Sequence, residues 1–291
     1  MTSVTQPGAA APQTERKFFG QPWGLANLFG IELWERFSFY GMQALLAYYM
    51  YHSTTEGGLG IDESTALSLV GAYGGFVYMM ALVASFVGDR ILGAERTLFY
   101  SAILVMIGHC VLALVPGAAG LAIGLVCIGI GSGGVKTATQ VVLGDLYTRE
   151  DPRRDAGFSI FYMSVNIGGL LGPAITGWVW GKAGFHWGFG LAAIGMAIGL
   201  VQYALMRKSS IGAAGSEVPN PLPRSNWAPV GFGLLAVAAI VVGLLTTGTL
   251  PLDWLSWVVF AIALAATVIL LWEMFASDKV TAHEKSRLTG Y

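Results

Sequence analysis

Three ionisable residues crowd into the run Glu32-Leu33-Trp34-Glu35-Arg36, inside an apolar stretch from about 23 to 50. Hydrocarbon holds such charges only where they are paired or line a polar cavity, so charges at this depth mark a working site. On a helix, Glu32 and Arg36 are spaced i, i+4 and Glu32 and Glu35 i, i+3, which gathers all three on roughly one face. Two carboxylates beside one cation cannot all be ionised comfortably in a low dielectric. Either one carboxylate takes a proton or a second cation comes close. The other cation within an apolar run is Lys136. With it the set holds two acids and two bases, and a single proton gained or lost unbalances it. Buried ion pairs stabilise a fold poorly, so the arrangement reads as a proton- or ion-coupling site rather than a structural clasp.

The elements that must position these groups are membrane spans. Of the 291 residues 55% are hydrophobic and 11% charged, with a mean hydropathy of +0.63. A soluble domain carries about 25% charged residues, so the composition is that of an integral membrane protein. The net charge of -1 excludes the concentrated basic face of a nucleic-acid binder. Cys110 and Cys127 each lie in an apolar run and read as small core residues, not a disulfide framework.

Apolar runs fall at about 23–50, 64–87, 97–115, 120–144, 157–180, 187–206, 228–247 and 254–276. Each is near the length needed to cross a hydrocarbon core of about 30 Å. The expected fold is therefore an all-α, polytopic membrane protein. Its parts are a disordered cytoplasmic tail (1–21), a six-helix bundle (22–206), a Ser/Gly/Pro-rich cytoplasmic linker (207–226) and a two-helix hairpin (227–277). With the N-terminus inside, thirteen of the sixteen basic residues fall on the cytoplasmic side. Lys182 alone falls outside, and Arg36 and Lys136 stay in the membrane. That asymmetry puts both termini in the cytoplasm. A rise of about 1.5 Å per residue places Glu32 to Arg36 roughly 14–20 Å, and Lys136 about 12 Å, from the cytoplasmic ends of their helices. The two levels nearly coincide, which predicts that Lys136 reaches the acids.

The run Gly129-Ile130-Gly131-Ser132-Gly133-Gly134-Val135-Lys136 superficially resembles a phosphate-binding loop, but it sits mid-membrane with no preceding strand. Close packing of helices through small residues explains it better, and this too would bring the first and fourth helices together. Asn166, mid-way along the fifth run, must find partners for its amide, either a substrate or a neighbouring helix. Tyr40, Tyr78 and Tyr162 are phenols suited to a wet cavity. His109 reads as a satisfied core histidine, and Glu273 as a residue that reaches the interface. No arrangement for nucleophilic or metal catalysis is present in the sequence, so neither enzymatic activity, a metal nor a cofactor is expected.

From Glu32-Leu33-Trp34-Glu35-Arg36-Phe37 onwards the chain closely resembles the proton-dependent oligopeptide transporters of the major facilitator superfamily, whose first helix carries a Glu-x-x-Glu-Arg-Phe motif. Gly88-Asp89-Arg90-Ile91-Leu92-Gly93-Ala94-Glu95-Arg96 is similar to the superfamily's signature loop. Gly133-Gly134-Val135-Lys136 and Phe161 to Gly169 match the family's fourth- and fifth-helix motifs. The resemblance implies two six-helix bundles that rock about a central site, with protons driving di- and tripeptides through the plasma membrane. It implies that Glu32, Glu35, Arg36 and Lys136 couple proton movement. Arg36, Tyr40, Gln43, Tyr78, Lys136 and Asn166 would bind substrate, and Gly88, Asp89, Arg90 and Arg96 would form a gating loop.

The chain departs from the family pattern at Gln43, where arginine is common, at Thr137-Ala138, where Pro-Asn is usual, and at Phe39, where tyrosine is common. Residues 278–291 resemble the lead-in to a seventh core helix, so a C-terminal bundle is the expected partner and the 291 residues alone are not expected to transport. Alternative readings are a carrier of another small anion such as nitrate in the same fold, or a non-transporting remnant.

Overall fold

The computed structural model describes residues 16–246 and 254–276. Residues 1–15 of the expected tail, residues 278–291 and the side chain of Glu273 lie outside the described part.

Each apolar run forms a helix: α1 (Trp23–Tyr51), α2 (Glu63–Val87), α3 (Ala94–Leu114), α4 (Gly117–Asp145), α5 (Arg154–Ala183), α6 (Phe185–Ser210), α7 (Trp227–Thr246) and α8 (Leu255–Ala276). Local chemistry sets the ends. Asp62 caps α2 by accepting from the Thr65 amide at 3.2 Å. A wide turn, Gly88–Leu92, closes α2, and Gly93 at φ +80° reverses the chain into α3, a conformation that a Cβ would oppose. Among the described residues five helices, α2 through α6, are long and apolar enough to cross a membrane. α1 is as long, but the three charges sit in its middle.

The packing follows a symmetry. α1 lies against α5 and α6, α4 against α2 and α3, and α3 against α6. Exchanging α1–α3 with α4–α6 maps this set of contacts onto itself. The bundle is therefore two three-helix units. Because three spans is an odd number, the second unit runs inverted through the membrane relative to the first. α1 and α4 are the equivalent helices, and they meet at the centre.

Two apolar clusters fill the interior. One joins Leu25, Leu28 and Ile31 of α1 to Leu98, Val142 and Tyr203, at the end where the arginines gather. The other joins Met42, Leu45 and Leu46 to Tyr73, Leu121 and Phe189 towards the opposite end. Glu32, Glu35 and Arg36 lie in the gap between them, walled off from water along the helix in both directions.

Close approach of α1 and α5 depends on small residues. A methyl group on Gly168 would overlap the Leu33 carbonyl oxygen, and the Thr176 hydroxyl reaches the Gly41 carbonyl at 3.1 Å across the same seam. The glycine-rich face of α4 does the same against other helices: a Cβ on Gly133 would stand 2.6 Å from the Ala81 nitrogen of α2, and one on Gly131 would stand 2.6 Å from the Ser101 carbonyl of α3. Those glycines therefore serve packing, as expected, but against α2 and α3 rather than α1.

Part of the tail expected to be disordered, and the linker, are structured where described. Lys17–Phe18 (β1) pairs antiparallel with Gln21–Pro22 (β2), and the Tyr147 hydroxyl meets buried Gln21 at 3.2 Å. The linker is docked as well. α6 runs on to Ser210, and Ile211 and Leu222 are buried. Asn220 and Leu222 donate their amides to the carbonyls of Asp89 and Arg90 at 3.0 and 2.8 Å, and Glu95 donates to Gly215 at 2.9 Å. Composition marks this stretch as a linker, and its amides find unused carbonyls on the turn between α2 and α3. At the far end, α8 packs on α2, with Val259 in the notch left by Gly75.

The tight seam makes a prediction. Gly168→Val should lower the thermal midpoint of the detergent-purified protein by several degrees, in keeping with about 1–3 kcal/mol for overpacking. Gly181→Ala, where a Cβ meets nothing within 4 Å, should leave the midpoint unchanged or raise it.

Candidate functional site

The helical spacing of Glu32, Glu35 and Arg36 produces one compact cluster. Arg36 Nε lies 2.8 Å from Glu32 Oε1 and 2.8 Å from Glu35 Oε2. It carries one hydrogen and aims it at Glu32, so Glu35 Oε2 touches the cation without accepting a hydrogen bond from a described residue. Arg36 Nη2 likewise has no acceptor. All three side chains are buried, Glu35 completely.

α4 supplies hydroxyls from one stripe. Ser132 donates to Glu35 Oε1, and the Thr139 hydroxyl stands 3.2 Å from Glu32 Oε2 and 2.8 Å from the Val135 carbonyl, able to donate to either. Charge-assisted hydrogen bonds of this kind offset part of the cost of burying a carboxylate. With both acids ionised the cluster still carries one uncompensated negative charge.

Lys136 does not compensate it by direct pairing, which corrects the expectation drawn from depth alone. Among the described residues Arg36 is the cation paired with the two acids, and Lys136 Nζ instead sits 3.9 Å from the centroid of the Tyr78 ring. Helical phase explains the difference. At about 100° per residue, Lys136 lies about 40° round α4 from Ser132, on the side towards Gly133. Ser132 and Thr139 face α1, Gly133 faces α2, and Lys136 stands between and leans to α2. It remains within the electrostatic field of Glu35.

The other expected residues sit on more open surface. Tyr40 and Gln43 continue the Arg36 stripe of α1 and are half-buried, with the Tyr40 ring against Gly169 of α5. Tyr78 is 63% exposed. Asn166 is exposed and donates to the Tyr162 carbonyl at 3.1 Å within its own helix. In the turn after α2, Gly88 is buried, Asp89 is exposed, and Asp89 and Arg90 engage the linker through their carbonyls; Arg96, in the first turn of α3, is exposed.

Sequence reasoning missed several partners. Ser132 and Thr139 are spaced i, i+7 around Lys136, a spacing that could have marked them as the α1-facing stripe. Glu95 is buried, ion-paired with Arg207 at 2.8 Å and bonded by the Tyr203 hydroxyl at 3.2 Å. His109 is fully buried, but neither ring nitrogen has a partner among the described residues, so it is core without being satisfied.

Comparison with known proteins adds to this geometry. A profile described as the POT family matches residues 95–248. The uncharacterized transporter YclF of Bacillus subtilis (strain 168) is 44% identical over 291 residues, covering all of this chain and 59% of that protein. The di-/tripeptide transporter of Lactococcus lactis subsp. lactis (strain IL1403) is 39% identical over 287 residues, 96% of this chain and 58% of that one. The chain thus spans under three fifths of the length of these curated relatives. A crystal structure of a POT family transporter in complex with 5-aminolevulinic acid superposes with a TM-score of 0.88 at 41% identity, covering 94% of this chain and 57% of that chain. A peptide transporter POT mutant in complex with alafosfalin gives 0.84 at 42% identity, covering 95% and 56%.

The pairing pattern yields a test of which cation holds the acids. Arg36→Met strands two buried carboxylates and should cost about 3–5 kcal/mol of stability. Lys136→Met should cost about 1 kcal/mol or less, the worth of a partly exposed cation–π contact. Thermal melts of the two variants in detergent check this. Equal losses would mean that Lys136 carries an acid pair.

Proposed function

The chain belongs to the POT family, and on that premise we propose that it forms the proton-coupling bundle of a symporter that carries di- and tripeptides across the bacterial plasma membrane. The supporting observation is the buried set Glu32, Glu35 and Arg36, which holds one negative charge too many and becomes neutral when one carboxyl takes a proton. An acid that binds a proton on one side of the membrane and releases it on the other is what coupling requires.

Binding falls to the more open surface beside that set. Lys136 is held by a ring rather than by a carboxylate, so its charge is available to an incoming peptide carboxylate. Tyr40, Gln43, Tyr78 and Asn166 offer hydroxyls and amides to the peptide backbone, and Arg36 completes the pocket from α1. Gly88, Asp89, Arg90 and Arg96 form the gating loop.

A pocket so exposed needs a second wall, and the proposed partner is a second six-helix bundle closing over α1, α2, α4 and α5, so that one midplane site is enclosed from both sides. The arginine-rich end faces the cytoplasm, as the asymmetry of basic residues directs. No covalent chemistry is assigned to any of these residues.

The test uses proteoliposomes containing the complete protein that carries this sequence. Labelled dipeptide should accumulate when the outside is acidified, and unlabelled di- and tripeptides should compete while nitrate does not. Lys136→Ala should abolish gradient-driven uptake. Glu35→Gln should lose the pH dependence while retaining peptide exchange, because an amide cannot titrate. Competition by nitrate with none by peptides would defeat the peptide assignment.

A further inference from the structure

Tyr73 of α2 is a buried phenol that none of the roles above uses. It is 6% exposed, and its hydroxyl has no hydrogen-bond partner among the described residues. A buried hydroxyl without a partner carries a cost of about 1–3 kcal/mol, so its retention asks for an explanation.

Its surroundings point to one. The Tyr73 ring stacks on Phe39, one turn beyond Glu35 on α1, with centroids 6.3 Å apart. A Cβ on Gly129 would stand 3.4 Å from its Cε2 edge, and Gly129 lies one turn before Ser132, the residue that donates to Glu35. α1 and α4 run in opposite directions, so Phe39 and Gly129 are displaced from the Glu35–Ser132 contact towards the same end of the bundle. Tyr73 therefore roofs that contact. Beneath it, Glu35 Oε2 touches Arg36 Nε at 2.8 Å but accepts no hydrogen bond from a described residue. A donor and an acceptor thus lie in one dry layer, each without a hydrogen-bond partner among the described residues and not bonded to each other in this structure. The charged and titratable groups around Glu35 are Glu32 and Arg36 from its own helix, Lys136 from α4 and Tyr73 from α2.

We infer that Tyr73 is a positioning residue for Glu35: its hydroxyl donates to Glu35 Oε2 when that carboxylate is ionised and releases it when the proton arrives. Donation fits the ionised state because the carboxylate is then an acceptor at both oxygens, and Ser132 serves only one of them. The inference rests on the proton-coupling reading of Glu35, but not on what the protein carries.

An infrared difference titration of the complete protein in lipid tests it without any substrate. The protonated-carboxyl band that Glu35→Gln removes is followed against pH, with and without Tyr73→Phe, which keeps the ring on Phe39 and deletes only the hydroxyl. The midpoint of the band should move alkaline by about one pH unit, the tenfold change that one hydrogen bond to a charged group supplies. Serine retained at position 132 keeps the second donor, so Ser132→Ala should add a further alkaline shift. An unmoved or acid-shifted midpoint in Tyr73→Phe overturns the inference. Absence of any titrating Glu35 band overturns it together with the proton-coupling reading. A normal band shift in a protein that moves no peptide leaves Tyr73 in place and removes the peptide assignment alone.

Discussion

One guanidinium shared between two carboxylates organises this bundle. Arg36 cannot release either glutamate without leaving a charge stranded in an apolar interior, so α1 has to be flanked at this level by helices that bring the missing hydrogen bonds. α4 brings Ser132 and Thr139. α5 and α6 close the back, and the α5 seam has no room for a side chain where Gly168 meets Leu33. The apolar clusters on either side of Glu32–Arg36 keep water from replacing those bonds. The tight glycine seams and the polar cluster are thus two parts of one solution: the seams exclude water, and exclusion makes the charges strong.

Magnitudes explain what Lys136 does. Opposite charges about 4 Å apart attract by about 4 kcal/mol at an effective dielectric constant near 20, whereas a partly exposed cation–π contact is worth about 0.5–1 kcal/mol. Tyr78 could not draw Lys136 away from an acid within easy reach. The lysine sits on the ring because its helical phase directs it between α1 and α2, and pairing with Glu35 would require its side chain to swing back across α4. The excess negative charge of the α1 cluster is therefore answerable in two ways, by a proton or by that swing, and the two exclude one another.

Legibility in the sequence followed the range of the interaction. The three charges on α1 are local in the chain, and the i, i+3, i+4 rule placed them on one face as the structure does. Eight helices were legible from apolar runs, because a bilayer imposes a length that composition reveals. What failed was relative rotation. Depth in the membrane predicted that Lys136 and the acids lie level, but depth says nothing of phase, and the glycines of α4 that seemed to invite α1 instead admit α2 and α3. The docking of the linker was hidden for a different reason. Ser, Gly and Pro lower the cost of disorder, but they also leave backbone amides accessible, and those of Asn220 and Leu222 dock on carbonyls whose availability depends on the turn after α2. Tyr73 had no signal of its own, since a phenol in an apolar helix looks like any other core aromatic until its hydroxyl is seen without a partner.

The division between tight and loose contacts constrains how a change at Glu35 can reach the open face. Within the bundle, α1 is locked to α5 by glycine contacts and by the Thr176–Gly41 hydrogen bond, and α4 is locked to α2 and α3 in the same way. Interfaces packed this closely do not slide in small steps. Tyr78 and Asn166, by contrast, are exposed, and Lys136 is held by one ring. On the proposed proton-coupling reading, protonation of Glu35 removes one negative charge from the α1 cluster. The parts free to respond are Arg36, which no longer has two anions to bridge, and Lys136, which no longer has an excess negative charge to swing towards. On that reading, side-chain rearrangement along the short path from Glu35 through Arg36 and Lys136 to Tyr78 is the cheapest route by which a proton would alter the proposed binding face, and repacking of helices inside this bundle is not required for it.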